Sequence, residues 1–217
     1  MSLETPPSEQ IQAYIASLFA VEDEVLRQIR EQTVEQGLPQ IAVSAEEGAF
    51  LALLVRLCRA RRVLEVGTLA GYSTVWMARA LPADGYLVTI EKSAVHAEIA
   101  RRNFTLAGVE GKIRLLIGQA NLMLKKAAAF APYDLIFLDA DKEGYPQYYE
   151  WALRHLPSGG VIAAHNALWG GSVAGNVSSP IIEAVRSFNL RVARDERVAA
   201  HLYPAGDGTL IAVKVKK

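Results

Sequence analysis

The chain has 217 residues, and 51% of them are hydrophobic, which suits a globular domain with a sizeable core. Lys plus Arg and Asp plus Glu both number 23, so no excess charge favours nucleic acid or an anionic membrane as the main partner. The N-terminus lacks a basic start followed by an apolar run, and no stretch approaches the roughly 20 apolar residues of a membrane helix. We therefore expect a single cytoplasmic domain over residues 1–217 with a small-molecule partner.

The N-terminal region, residues 1–60, is predicted to be helical and to belong to the same domain. Helical patterns cover residues 8–35 and 44–60. Ser44 followed by Glu47 fits a capping box, in which each side chain bonds the backbone amide of the other residue.

Five apolar segments of strand length follow and alternate with helical patterns. They are RRVLEVG, GYLVTIE, KIRLLIG, YDLIFLDA and GGVIAAHN. Each is nearly all apolar in its middle, as in a strand covered by helices on both faces, and the alternation is typical of a parallel sheet. Ser93 and Ser179 are predicted helix N-caps, and Gly108 a helix end.

The last two apolar runs break this alternation. RVAAHLYP and GTLIAVKVKK are joined by AGDG, whose last glycine opens the second run, with no helix between them. This spacing predicts an antiparallel hairpin at one edge of the sheet.

Residues at the carboxyl ends of the strands are the candidate functional residues, because ligands of open α/β sheets bind there. The first strand ends in EVGTLAGYS, where Gly67 and Gly71 allow the backbone to approach a ligand closely. The spacing is not G-x-G-x-x-G, so a dinucleotide cradle is poorly supported. A purely structural glycine turn is the alternative.

The second and third strands end in residues that suit a nucleoside. Glu91 follows Gly67 by 24 residues and can accept hydrogen bonds from both ribose hydroxyls, unless it is a capping or solvated glutamate. Gln119 and the backbone around Ala120 can meet an adenine edge, unless they form a plain loop.

The fourth and fifth strands end in polar residues that we expect to lie close together. LDADKEGY places Asp139, Asp141 and Lys142 after a buried strand, where charges are costly unless they are paired or bound to something. The next strand delivers His165 and Asn166 close enough to share a ligand with Asp139. These positions favour a functional role.

Together, these segments resemble the class I S-adenosylmethionine-dependent O-methyltransferases of the caffeoyl-CoA and catechol type. The resemblance covers nearly the whole chain and rests on EVGTLAGYS at 65–73, Glu91, LDADK at 138–142, GGVIAAHNALWGGSV at 159–173 and PAGDGTLIAV at 204–213. It implies an α/β, Rossmann-like, seven-stranded, mostly parallel sheet with an antiparallel C-terminal strand, helices on both faces and extra N-terminal helices. It also implies S-adenosylmethionine as cofactor and a homodimer, with N-terminal helices on the substrate side.

The resemblance also implies residue roles in binding the cofactor. Glu65, Gly67 and the turn at 71–73 would hold its methionine part, with Ser73 near the carboxylate. Glu91 would hold the ribose, and Gln119 and Ala120 would flank the adenine. The expected cofactor-binding residues are Glu65, Gly67, Gly71, Tyr72, Ser73, Glu91, Gln119, Ala120 and Asp139.

In such enzymes a divalent ion, usually magnesium, is held by an aspartate matching Asp139 and by an adjacent Asp-Asn pair, and a lysine matching Lys142 takes the proton. Here the pair is His165–Asn166. Magnesium prefers oxygen ligands in a near-ideal octahedron, whereas imidazole suits zinc, iron, cobalt, nickel and copper. Magnesium binding should therefore be weaker in this chain.

Three hypotheses for this pair stay open. A softer metal ion could be bound by Asp139, His165 and Asn166; His165 could act as general base without a metal; or it could be a hydrogen-bonded histidine in a site that has lost or changed its catechol chemistry. We expect methyl transfer to the hydroxyl of a small aromatic acceptor, with Lys142 or His165 as base. The alternatives from other classes are an S-adenosylmethionine-binding protein without catalysis and a nicotinamide oxidoreductase.

Overall fold

The computed structural model describes residues 9–216, without the side chains of Glu9 and Gln12. The start of the predicted helical pattern at residue 8 therefore lies outside the described residues. The strands are β1 Arg62–Val66, β2 Tyr86–Glu91, β3 Ile113–Ile117, β4 Leu135–Leu138, β5 Val161–Ala164, β6 Val198–Tyr203 and β7 Thr209–Lys214. They form one sheet in the order β3-β2-β1-β4-β5-β7-β6.

The helices precede, connect and cover these strands. They are α1 Glu9–Phe19, α2 Glu24–Glu35, α3 Ala45–Leu57, α4 Tyr72–Ala80, α5 Ala94–Leu106, α6 Ala120–Ala127, α7 Tyr145–His155 and α8 Pro180–Ala193. Within residues 9–216, none is both long and apolar enough to cross a membrane.

The predicted helical pattern over residues 8–35 is divided into two helices. Asp23 accepts a hydrogen bond from the backbone N–H of Leu26 and caps α2, so the helical pattern is interrupted between Phe19 and Glu24. The other predicted helix signals are confirmed. Ser44 and Glu47 form the capping box of α3, and Ser93 and Ser179 cap α5 and α8.

The predicted sheet topology is confirmed. Neighbouring strands from β3 to β5 pair in parallel, whereas β7 pairs antiparallel with both β5 and β6, the latter lying at the edge. The last residues of β1, β4 and β5 are register partners, so these three strands end level with one another. Gly67, Asp139 and His165, which follow them, therefore stand side by side at the carboxyl edge.

Helices cover both faces of the sheet and bury two apolar cores. One core contains residues of α2 to α5, and the other contains residues of α6 to α8. Phe137 on the first face and Tyr149 against the second are almost wholly buried. Full burial of such side chains stabilises the fold by about 1.5–3 kcal/mol each. The two cores therefore fix the strands whose ends carry the candidate site.

Candidate active site

The loop after β1 packs backbone to backbone against the end of β4. Gly67 has a φ of +107°, and a Cβ at this position would collide with the main-chain carbonyl of Asp139. Gly71 begins α4 at a φ of +84°, with the ring of Phe104 where its Cβ would lie. Both glycines are thus required by conformation and packing, and their role in cofactor binding stays a prediction.

Glu65 lies beneath this loop and is fully buried. Its carboxyl group accepts hydrogen bonds from the hydroxyls of Ser73 at 2.6 Å, of Thr89 at 2.7 Å, and of Thr74. Burial raises the pKa of Glu65 to about 7, although the hydrogen bonds from these three hydroxyls oppose the shift. Glu65 therefore ties the start of α4 to β1 and β2, and its contact with a cofactor stays a prediction.

Glu91 connects the loop after β1 with the start of α5. One carboxylate oxygen accepts from the backbone N–H groups of Thr68 at 3.2 Å and Leu69 at 2.8 Å, and the other accepts from Ser93 at 2.9 Å. A carboxylate offers roughly four acceptor positions. His96 Nδ1 also lies 3.6 Å from the oxygen that accepts from Ser93. The predicted contact of Glu91 with both ribose hydroxyls stays a prediction.

Gln119 and Ala120 lie at the end of β3, as predicted. Gln119 is exposed at the N-terminus of α6 and forms no side-chain capping bond, and Ala120 is half-buried. Their position beside an adenine stays a prediction.

The side chain of Tyr72 extends from the loop toward the N-terminal helices. Its hydroxyl donates to Glu22 at 2.6 Å and accepts from Arg30 at 2.7 Å, and the Arg30 guanidinium lies 4.4 Å from the ring centroid. The Tyr72 hydroxyl is thus engaged by the N-terminal helical region, and the contact of Tyr72 with a cofactor stays a prediction.

His165 lies between two carboxylates at the carboxyl edge. Its Nδ1 is 3.1 Å from Oδ1 of Asp139, and its Nε2 is 2.9 Å from Oε1 of Glu47 on α3. Burial lowers the pKa of His165, but the hydrogen bonds and charges of Asp139 and Glu47 outweigh burial and raise it to about 9. Burial likewise raises the pKa of Glu47, yet His165 holds it at about 2. Both contacts therefore favour the imidazolium form of His165.

Lys142 is buried beside the same aspartate. Its Nζ lies 3.5 Å from Oδ1 of Asp139 and donates a hydrogen bond to the Tyr145 hydroxyl at 2.6 Å. Burial lowers the pKa of Lys142, against the opposing charge of Asp139. A lowered pKa makes the neutral amine, the form that acts as a general base, more accessible near neutral pH.

Asn166 belongs to a second polar pair. It has a φ of +54°, and its amide nitrogen donates to Asp207 at 2.8 Å. Asp207 lies in the turn between β6 and β7 and also accepts from the backbone N–H of Gly170 at 2.5 Å.

The residues that the sequence predicted as metal ligands do not fit a divalent ion. Both ring nitrogens of His165 lie against carboxylate oxygens, which leaves no ring lone pair for an ion, and the Asn166 amide nitrogen donates to Asp207. Among residues 9–216, no group of three or more His, Cys, Asp or Glu side chains is arranged to hold a metal ion. Of the three predicted ligands, Asp139 and His165 therefore pair with each other, whereas Asn166 pairs with Asp207.

The sequence did not predict roles for Glu47 and Asp207. The capping box fully accounted for Glu47, so nothing in the sequence indicated a second contact of its carboxylate. The position of Asp207 could have been predicted. Because β7 is antiparallel to β5, the turn that precedes β7 lies at the carboxyl edge of the parallel strands.

Comparisons with known proteins show the family of the chain. A family model described as O-methyltransferase matches residues 16–215. A catechol O-methyltransferase from Niastella koreensis is 40% identical over 195 residues, covering 88% of this chain and 88% of that protein. A caffeoyl-CoA O-methyltransferase from Medicago sativa is 32% identical over 222 residues, covering 96% of this chain and 90% of that protein. A solved O-methyltransferase from Bacillus cereus in complex with SAH has a TM-score of 0.89 at 35% identity, covering 94% of this chain and 97% of that one.

Proposed function

Because the chain belongs to the O-methyltransferase family, we propose that it transfers the methyl group of S-adenosylmethionine to a hydroxyl of a small aromatic acceptor, with Lys142 as general base. The observation that carries the proposal is the buried Lys142 amine, 3.5 Å from Asp139 at the carboxyl edge. The relatives named for catechol and caffeoyl-CoA support an aromatic hydroxyl as the acceptor.

The residues around the ends of β1 to β3 fit this cofactor. Glu91 accepts three backbone hydrogen bonds out of roughly four acceptor positions and is the proposed ribose contact, and the exposed Gln119 side chain is free of capping bonds. The turn from Gly67 to Ser73 is the proposed site of the methionine part, braced by Glu65 from below. The predicted nearness of Asp139 to the cofactor is part of the same proposal.

S-adenosylmethionine supplies, when bound, a methyl group on a positively charged sulfur that keeps the electrons of the broken carbon–sulfur bond. The acceptor oxygen forms the new carbon–oxygen bond with its own lone pair, and its proton passes to Nζ of Lys142. Asp139 then faces the ammonium that this transfer creates. Holding the acceptor oxygen in line with the methyl carbon can contribute roughly 7 to 11 kcal/mol in well-oriented systems.

His165 is not the base in this proposal. A base needs a free nitrogen lone pair, and both ring nitrogens of His165 lie within hydrogen-bonding distance of a carboxylate oxygen.

The homodimer is also proposed, through the N-terminal helices. Tyr14 and Phe19 of α1 are 63% and 75% exposed, and such apolar surface suits contact with a second copy. Sedimentation of the purified protein tests this proposal. The single domain over residues 1–217 and the cytoplasmic location stay predictions.

The test is methyl transfer to caffeic acid and to a panel of other phenols, followed by mass spectrometry, with S-adenosylhomocysteine binding measured by calorimetry. We expect a product one methyl group heavier. Binding without turnover across the panel would support the non-catalytic alternative instead, and absence of binding would refute the proposed function. The absorbance of NADH, followed with NAD⁺ and an oxidisable substrate or with NADH and a reducible one, checks the oxidoreductase alternative.

A further inference from the structure

We infer that the His165 imidazolium, held between Glu47 and Asp139, is a built-in cation that replaces a divalent metal ion, and that Glu47 is the residue that positions it. The inference deepens the proposed function and rests on it for the role in catalysis. The chain would then transfer methyl groups without a metal.

The hydrogen-bond geometry itself sets the charge of His165. An ionised carboxylate can only accept hydrogen bonds, so a ring with one carboxylate oxygen at 3.1 Å and another at 2.9 Å must donate from both nitrogens. Such a ring is doubly protonated and has no lone pair for a metal ion. With His165 only 5% exposed, water competes little for these bonds.

Glu47 is also oriented by hydrogen bonds at the start of its own helix. One of its carboxylate oxygens accepts from the backbone N–H of Ser44 at 2.7 Å, which completes the capping box and leaves the other oxygen for His165. Gly206, in the turn after β6, leaves room for that oxygen because it has no side chain. A Cβ at this position would collide with the oxygen. The backbone N–H of His165 is fixed in turn by the carbonyl of Leu138 at 3.0 Å.

The charges around Asp139 suit the proposed proton transfer. Glu47 and Asp139 carry two negative charges against the single positive charge of His165. When Lys142 takes the acceptor proton, its ammonium forms 3.5 Å from Asp139 and balances the remaining charge.

The first test measures the metal requirement of the unaltered protein. Methyl transfer in excess chelator is expected to match the rate after chelator removal and addition of magnesium, manganese, zinc or cobalt singly. Calorimetric titration with manganese and with zinc is expected to show no site of defined stoichiometry. A chelator-sensitive rate, or a stoichiometric site that His165→Asn removes, would overturn the inference.

The second test restores an oxygen ligand. His165→Asp places a third carboxylate beside Glu47 and Asp139, so without metal the thermal midpoint is expected to fall, and manganese or magnesium is expected to raise it again. His165→Asn is the matched control, because it also loses the cation but adds no carboxylate. Equal responses of both variants to the metals would contradict the inference.

The third test concerns Glu47 as a positioning residue. Glu47→Gln keeps a residue suited to the capping box but removes the charge that faces His165. Nitrogen NMR of labelled histidine is expected to show an imidazolium at neutral pH in the unaltered protein and its loss in the variant. We expect the variant's kcat to fall by about tenfold, in the range for residues that orient a catalytic group, with unchanged S-adenosylhomocysteine affinity. An unchanged imidazolium signal would refute this role.

Failure of the inference and failure of the proposed function can be told apart. Metal titration, thermal midpoints and NMR need no acceptor, so they report on His165 even if no phenol is methylated. Conversely, methyl transfer that requires a metal would leave the proposed reaction standing and remove only the built-in cation.

Discussion

The phenol oxygen of Tyr72 lies 2.6 Å from a carboxylate oxygen of Glu22 and donates a hydrogen bond to it. Tyr72 follows Gly71 at the start of α4, whereas Glu22 lies in the segment between α1 and α2. The proposed cofactor turn is thereby attached to the N-terminal helices.

Tyr72→Phe removes this attachment while keeping the ring. We expect the free energy of unfolding to fall by about 1 kcal/mol and the affinity for S-adenosylhomocysteine to fall as well. Tyr86→Phe is the control, because its hydroxyl bonds the Phe130 carbonyl at the other end of β2. Denaturant unfolding and calorimetry should show a stability loss in both variants but an affinity loss only in Tyr72→Phe. Equal affinities would show that the attachment does not shape the turn.

Lys142→Arg tests the general base more sharply than Lys142→Ala. Arginine keeps the positive charge but cannot release its proton near neutral pH, so both variants should lose kcat by about 10²- to 10⁴-fold. Lys126→Arg, at an exposed position on α6, is the matched control and should leave kcat unchanged. Substantial turnover by Lys142→Arg would assign proton removal to another group.

Glu65 predicts a pH dependence of stability. Its pKa is raised from 4.5 to about 7 in the folded chain, so its stabilising contribution is fully present below pH 4.5 and is lost as the pH rises through 7. The loss is on the order of 3 kcal/mol. Glu65→Gln cannot ionise, so urea unfolding should give it a flatter profile between pH 4.5 and 8 than the unaltered protein. Glu110→Gln, at an exposed position, should retain the original profile, and parallel profiles for all three proteins would contradict the prediction.

Gly67→Ala is expected to destabilise the fold at the junction of β1 and β4. A Cβ would collide with the Asp139 carbonyl, and the positive φ adds strain, so we expect a loss of about 1 to 3 kcal/mol or more. Gly111→Ala is the control, since no atom lies within 4 Å of its Cβ position. Thermal unfolding measures both, and a loss in Gly111→Ala as large as in Gly67→Ala would contradict the packing argument.

A built-in cation changes the acceptor requirement. A bare metal ion can bind both oxygens of a catechol, but both N–H groups of His165 are already used by Glu47 and Asp139. We therefore expect 3-hydroxycinnamic acid to be methylated at a rate within about tenfold of caffeic acid, a difference of about 1.4 kcal/mol in barrier. Methylation of the vicinal diol alone would contradict this expectation.

The fold was predictable because its signals are local or follow from strand register. Apolar strands alternating with capped helices predict a parallel sheet, and AGDG between the last two runs predicts the reversed hairpin. The meeting of Asp139 with His165 follows from the same logic, since β4 and β5 are adjacent and end level. The break at Asp23 was missed because the apolar pattern continues across it.

The charge state of the site was not predictable from sequence. It depends on Glu47, which reaches His165 from a helix whose docking position no local pattern encodes. A glutamate that only caps its helix and one that also contacts His165 have the same sequence pattern. Only the packing of α3 against the strand ends distinguishes them, and the choice between base, ligand and cation for His165 depends on that packing.

The Glu47–His165 contact joins residues 118 positions apart, and Asp139 precedes His165 by 26 positions. During synthesis both carboxylates therefore leave the ribosome before the histidine that separates them. Until β5 is added, α3 can approach the end of β4 only by bringing two like charges together in a poorly hydrated place. This region should close late in folding, so a nascent chain stopped before His165 would remain open there and be more readily degraded by proteases than the finished protein.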